Sequence, residues 1–291
     1  MRVGIIGQGF VGSAIREGLK EFYNVLTYDI DETKCNNTFE VVCNKSDIIF
    51  ICVPTPMRLD GSCDTRILES ALNNVYKEIL RQDPNPRHSN FLEKQKHKKI
   101  LVIKSTITPG TTEMLSKKYS RVSLCFSPEF LTEANSFNDF KNQTRIIIGG
   151  EGAKIVKQMF KKPFPDIPII VTQSTTAEMV KYFTNCFLAS KVTFGNQMYD
   201  ICQAANINYD KVREYALYDE RIGKSHLSVP GPDGDRGFGG HCFPKDLAAM
   251  IEFANKNKAE SSFLKAVKEF NKEIRSNKDW LQMKGRAVSE D

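Results

Sequence analysis

The 291 residues (33.0 kDa) carry 41% hydrophobic and 26% charged side chains, a composition that excludes collagen-like, disordered and membrane-spanning classes. No window approaches the roughly 18 uninterrupted apolar residues that a transmembrane helix needs. The formal charge of +6 suits an anionic small ligand and gives no argument for nucleic acid. The length accommodates two domains. Residues 1–6 run straight into an apolar strand pattern, so no signal peptide and a cytoplasmic location are expected. Eight cysteines, at 35, 43, 52, 63, 125, 186, 202 and 242, contain no Cys-x-x-Cys and no zinc-like cluster. Reduced thiols and no metal are expected.

In chain order, residues 2–6 predict a first strand, and residues 10–22 a helix with apolar side chains at 11, 14, 15, 19 and 22. A second strand at 24–28, a buried one at 48–53 and an amphipathic helix at 65–80 follow. Further strands are predicted at 100–104, 122–126, 145–149 and 167–171. Continuous apolar runs alternating with helices predict an α/β fold over residues 1–172, a Rossmann-type doubly wound parallel sheet covered on both faces. Residues 81–99 interrupt the pattern with six Lys/Arg against two acids and read as an exposed basic loop. From Thr175 the chain turns helical. Thr175-x-x-Glu178 has the spacing of a capping box at the start of a helix reaching about residue 205, a length suited to connecting domains or packing between subunits. Residues 230–240, with five glycines and two prolines, predict an irregular loop, and helices follow near 244–255 and 261–274. The polar tail, 275–291, is expected to fray. Residues 173–291 thus read as an all-helical second domain.

Gly7-Gln8-Gly9-Phe10-Val11-Gly12 lies between the first strand and the first helix, the context in which a Gly-x-Gly-x-x-Gly pattern carries meaning. Gly7 allows the tight turn, Gly9 the approach of a pyrophosphate and Gly12 close helix packing, and the helix N-terminus offers free N–H groups to phosphate. Asp29, 22 residues after Gly7, is placed to accept from ribose hydroxyls and to repel a 2′-phosphate. No Arg follows it, so NAD is the expected cofactor.

Cys242 lies in Gly237-Phe-Gly-Gly-His-Cys-Phe-Pro-Lys-Asp246, with Pro244 suited to a helix start. The helix dipole and Lys245 would favour a thiolate there; a buried structural cysteine at a helix cap fits the residues equally well. Lys181 and Asn185 share a helix face, with Glu178 one turn earlier, either as functional groups or as a solvated face. Glu129 and Glu133 follow one strand and Thr106 another, where open α/β sheets bind ligands. The two glutamates read either as an acid/base pair or as charges at a strand end. The loop at 230–236 offers Arg236 as a phosphate or base contact, or is a surface insertion.

Together these stretches, with Val53-Pro54-Thr55-Pro56, Lys104-Ser105-Thr106, residues 128–133 and 177–185, and Arg221-Ile-Gly223, make the chain resemble the nucleotide-sugar dehydrogenases, the UDP-glucose/GDP-mannose dehydrogenase family, on its UDP-glucose 6-dehydrogenase side. The resemblance implies NAD-dependent four-electron oxidation of a nucleotide sugar, UDP-glucose to UDP-glucuronate, in two hydride transfers. Cys242 would be the nucleophile, holding the aldehyde as a thiohemiacetal that becomes a thioester and is hydrolysed. It makes Lys181 and Asn185 the partners of the developing oxyanion, and Thr106, Glu129 and Asp246 the groups that position and activate water, with Glu129 the general base. Val53, Pro54, Thr55 and Thr106 would join the cofactor site. Phe130, Leu131, Glu133, Phe238 and Gly239 would join Glu129, Lys181 and Asn185 around the sugar. Arg221 would reach the substrate of a neighbouring subunit, implying a homodimer. His241 fits relatives acting on N-acetylhexosamine nucleotides, whereas the following Phe-Pro-Lys-Asp fits the glucose type. Members of this family carry a third, nucleotide-holding domain of about 100 residues, and the 45 residues after Asp246 are expected to be too few for one. Two other readings share the length: a two-domain β-hydroxyacid or 6-phosphogluconate-type dehydrogenase, which works without a cysteine, and an NAD-binding protein without turnover.

Overall fold

The computed structural model describes residues 1–82 and 98–290, so most of the basic stretch at 81–99 lies outside the described residues. The chain forms two units, Met1–Thr55 with Thr65–Lys181, and Pro56–Asp64 with Tyr182–Asp291. Among the described residues no helix is long and apolar enough to cross a membrane.

Among the described residues the first unit holds seven strands: β1 (Arg2–Ile6), β2 (Asn24–Tyr28), β3 (Ile48–Ile51), β4 (Ile100–Ile103), β5 (Ser123–Phe126), β6 (Ile146–Gly150) and β7 (Ile169–Thr172). They lie in the order β2-β1-β3-β4-β5-β6-β7. In β3 and β4 every residue is buried, because helices cover both faces and no position can face water. The first five strands are parallel, with β1 between β2 and β3 in the registers Val3↔Val25 and Val3↔Ile48. One face is packed by α1 (Phe10–Leu19), α5 (Ser136–Lys141) and α6 (Ala153–Lys161) around Ile15, Phe50, Phe140 and Phe160. The other is packed by α2 (Phe39–Lys45), α3 (Arg66–Gln82) and α4 (Thr111–Lys118) around Val42, Leu68, Leu72 and Leu115.

The fully parallel sheet needs one correction. β6 pairs antiparallel with β5, through Cys125↔Gly150 and Phe126↔Gly149, and β7 is parallel to β6. The connection between β5 and β6 holds one α-helix, six residues long and about 9 Å in length, and returns the chain antiparallel beside β5.

The helix α7 (Ser174–Ala204) begins after β7, and the division between the units falls within it, between Lys181 and Tyr182. The second unit contains the rest of α7, α8 (Tyr209–Ala216), α9 (Phe243–Lys256) and α10 (Ser262–Ile274). Its core joins Cys186 and Ala189 of α7 to Leu247 and Ile251 of α9 and Val267 of α10, with Phe238 between them. The tail is not frayed. Trp280 and Ala287 are buried, and Met57 bonds through its backbone to Ala287 O (2.8 Å) and to Ser289 N (2.8 Å). Docking on the 56–64 segment of the same unit gives this polar tail the backbone partners that its own sequence does not suggest.

Candidate active site

The first unit presents a nucleotide-binding turn. Gly7 has φ +92°, and a Cβ there would lie 2.5 Å from Cys52 O, so the turn requires glycine. A Cβ on Gly12 would collide with Gly7 O, whereas one on Gly9 would project into open space. α1 has no acid in its first turn and no side chain capping Gly9, so its leading N–H groups are available to a phosphate. The Asp29 carboxylate accepts from Gln8 N (2.5 Å) and Asp31 N (2.9 Å), which fixes the acid beside the turn. These residues fit NAD. Asp29→Ala is expected to weaken NAD binding about tenfold to hundredfold, the loss of charged hydrogen bonds, and to relax discrimination against NADP. Calorimetric titration with both cofactors checks this; an unchanged preference would remove Asp29 from the ribose site.

The loops that leave β3, β4 and β5 are bonded to one another. Ser105 Oγ donates to Val53 O (2.6 Å) and Thr55 Oγ1 donates to Thr106 O (2.7 Å), so the Val53-Pro54-Thr55 stretch and Thr106 form one rigid corner. After β5, Glu129 is buried with Lys181 of α7. The Lys181 ammonium donates to Glu129 Oε1 (2.8 Å) and to Glu129 O (2.7 Å), and Leu131 N donates to Oε2 (2.7 Å). Burial alone would raise the Glu129 carboxyl, but Lys181, Leu131 N–H and Lys104 outweigh it and hold the group below the usual carboxylate range. The Phe130 ring lies under Arg145 (4.4 Å) and Lys181 (5.7 Å). Leu131 is half-buried, and Glu133 is exposed in a short 3-10 turn.

Glu178 does not face solvent, and its carboxylate caps another helix, not its own. It is fully buried and accepts from Gly110 N (2.7 Å), Thr112 N (2.8 Å) and Thr112 Oγ1 (2.6 Å), capping α4 at the end of the Thr106 loop. A carboxylate at a helix N-terminus satisfies orphan N–H groups, yet burial outweighs these bonds and holds the Glu178 carboxyl above its usual range.

In the second unit Cys242 is the N-cap of α9 and Pro244 lies in the first turn. Its backbone thus stands at the helix N-terminus, where the partial positive charge of a helix favours a thiolate. Asp246 is buried one turn on, where its oxygens accept from Asn185 Nδ2 (2.6 Å) and Lys245 Nζ (2.5 Å). Burial opposes the Lys245 ammonium, yet Asp246, Cys242 and Cys63 together hold it above the usual lysine range. Lys245 is therefore a fixed cation beside Cys242. By contrast, burial pushes the thiols of Cys43, Cys52, Cys125 and Cys186 up to about 12.

The glycine-rich loop before Cys242 is held from behind by groups that its sequence does not announce. Asn271 of α10 is buried, accepts from Phe238 N (2.7 Å) and donates to Phe238 O (2.9 Å). Gly240 N donates to Asp279 (3.0 Å), and Arg275, buried, pairs with Asp233 (2.6 Å) and Asp235 (3.4 Å). A side chain at Gly239 would strike Arg275 and Asp279. Phe238 itself is a core residue, in edge-to-face contact with Phe243 (6.0 Å). Arg236 pairs within the unit with Asp200 (2.7 Å) and lies over the Tyr199 ring (5.4 Å). Arg221 is exposed and pairs with Asp219 (2.5 Å), beside a cavity of about 640 Å³ walled by Phe187, Phe194, Phe263 and Phe270.

A Rossmann-type sheet with a dinucleotide turn, and a helical unit with a cysteine on a helix N-terminus, define a nicotinamide-nucleotide-binding class of protein. Comparison with known proteins narrows that class. Residues 34–164 match the NAD binding domain of the UDP-glucose/GDP-mannose dehydrogenase family, and residues 175–273 match its central domain. A putative UDP-glucose 6-dehydrogenase, YtcA of Bacillus subtilis, is 31% identical over 99% of this chain and 73% of its own length. The UDP-glucose 6-dehydrogenase of Rickettsia conorii is 30% identical over 90% of this chain and 57% of its own. The structure of a UDP-glucose dehydrogenase from Pyrobaculum islandicum superposes with a TM-score of 0.78 at 26% identity, covering 94% of this chain and 68% of that one. The chain belongs to the UDP-glucose/GDP-mannose dehydrogenase family, with NAD as the cofactor of its first domain. It spans 57–73% of the two relatives' lengths.

Proposed function

We propose that this protein oxidises the 6-hydroxymethyl group of a nucleotide sugar, UDP-glucose in the first instance, to a carboxylate through a covalent adduct on Cys242. The observation that carries the proposal is the placement of Cys242 on the α9 N-terminus, beside a Lys245 ammonium that Asp246 fixes in its charged form. Bound NAD⁺ would accept hydride from the sugar carbon, held by the Gly7–Gly12 turn and Asp29, with Val53, Pro54, Thr55 and Thr106 at its nicotinamide end. Each other task falls to the chain. Lys181 donates to the oxygen on which charge develops, and Asn185 holds the same oxygen or the sugar. The Cys242 sulfur adds to the aldehyde carbon, whose oxygen takes a proton to give the thiohemiacetal. That adduct gives up a hydride to a second NAD⁺ and its hydroxyl proton to solvent, which leaves a thioester. Glu129 takes a proton from water as its oxygen attacks the thioester carbon, and the C–S bond breaks to return the Cys242 thiolate. Phe130, Leu131 and Glu133 border the sugar. Phe238 and Gly239 act through the backbone of the cysteine loop.

A second copy of the chain is the proposed cover for the exposed aromatic stripe of α7, Phe183, Phe187 and Phe194, of which Phe183 is 71% exposed. Arg221 would then serve the partner's substrate. The purified protein is expected to form NADH with one member of a panel of UDP- and GDP-hexoses. NAD binding without NADH from any of these sugars would overturn the proposal.

A further inference from the structure

One buried ionisable group has no part in the chemistry above. Lys104 follows the apolar strand β4, and its side chain is turned inward, 7% exposed. Its Nζ donates to Pro128 O (3.0 Å) and lies 3.5 Å from Ser127 Oγ. Lys181 donates to the next carbonyl, Glu129 O. Two ammoniums thus hold consecutive carbonyls of one turn, beside the buried Glu129 carboxylate. Cys52 after β3, Cys125 in β5, Glu129 and Lys181 act on the Lys104 charge. The two thiols are neutral, since burial pushes each up to about 12. Burial pushes the Lys104 ammonium down to about 8, so it gives up its charge near neutral pH.

We propose that Lys104 is a positioning residue for Glu129 and also sets its strength as a base: charged, Lys104 holds Glu129 as a weak carboxylate base, and neutral, it keeps the turn but frees Glu129 to take a proton. This rests on the reading of Glu129 as the base. A neutral amine still donates to Pro128 O, so the turn survives deprotonation. A carboxylate facing two ammoniums is a poorer base than one facing a single ammonium, and general-base efficiency rises as the base's pKa approaches the working pH. The two groups titrate as a coupled pair.

The test uses Lys104→Gln, which keeps a donor without charge, and Lys104→Arg, which keeps the charge. Turnover of UDP-glucose from pH 6 to 9 is followed together with infrared spectra of ¹³C-glutamate-labelled protein, with Glu129 isolated by subtracting the Glu129→Gln variant. The wild-type rate is expected to rise about tenfold across pH 7–9. Lys104→Gln should lack that rise and exceed wild type at pH 7, and Lys104→Arg should stay slow throughout. The Glu129 protonation midpoint should be about one pH unit higher in Lys104→Gln and unmoved in Lys104→Arg. A merely structural lysine gives the opposite pattern: Arg restores the rate, and Gln lowers it in parallel at every pH. That pattern, or an unmoved midpoint in Lys104→Gln, overturns the proposal even in a protein without turnover. A moved midpoint with full activity in Glu129→Gln supports the charge coupling and rejects Glu129 as the base. If Lys104→Gln does not fold, the wild-type carboxylate band alone decides, since it should shift in the pH region where ¹⁵N-labelled Lys104 loses its proton; a band constant there overturns the proposal.

Discussion

Replacing Cys242 by Ser is expected to lower carboxylate formation by about three orders of magnitude or more, a barrier increase of about 4 kcal/mol, while NAD affinity stays within twofold. Cys242 occupies the N-cap position of α9 and is half-buried, so an isosteric hydroxyl is tolerated by the fold. What changes is the nucleophile. A thiol is readily ionised by a helix N-terminus and a fixed ammonium, and a serine hydroxyl is not. The variant should make one NADH per enzyme-bound sugar and stop at the aldehyde. Single-turnover absorbance and product chromatography read both quantities. Undiminished acid formation would contradict a covalent route.

Replacing Lys181 by Met is expected to cost 10²–10³ in kcat, the effect of losing one preorganised donor at a developing oxyanion. It also removes the main partner of a buried carboxylate, since Lys181 and Glu129 expose only 3% and 6% of their side chains. Breaking such a pair costs about 3–5 kcal/mol of stability. The sign of the pH dependence follows from the direction of the Glu129 shift. In the wild type, burial raises that carboxyl but Lys181, with Leu131 N–H and Lys104, more than offsets it, so the folded-state value is lowered from 4.5. Its stabilising contribution is present above 4.5 and is lost as pH falls through the lowered folded value. Without Lys181 burial dominates and the folded value rises, so ionisation destabilises the variant as pH rises. Urea unfolding should therefore show a larger deficit relative to wild type at pH 7 than at pH 5. An equal deficit at both would mean that Glu129 does not depend on Lys181.

The parts of this molecule legible in its sequence are those set by local pattern. β1 and β2 take the predicted bounds because a buried strand shows as a short apolar run. The Gly7–Gly12 turn is legible because each glycine answers a steric demand in its own neighbourhood. α7 runs the predicted course, ending at Ala204. Features that depend on distant partners are not legible. The reversal at β6 depends on how the β5–β6 connection packs, which periodicity does not fix. Glu178 looks like a surface or capping residue until α4 is placed against it. Lys104 and Asn271 are polar residues in amphipathic or strand-end contexts that usually face water, and their burial depends on the carbonyls of Pro128 and Phe238. The one available signal was a charge directly after an uninterrupted apolar strand, where a solvated lysine is hard to place. The tail misled because its few apolar anchors, Trp280 and Ala287, are diluted by charge.

The covalent route is tested most directly by the stoichiometry of the reaction with UDP-glucose, measured as NADH formed per sugar consumed, together with the mass of Cys242-containing peptides from protein quenched in acid during turnover. Two NADH per sugar, UDP-glucuronate as product, and an acyl adduct confined to Cys242 are expected. One NADH per sugar with free aldehyde released, or two with no adduct on Cys242, would contradict that route.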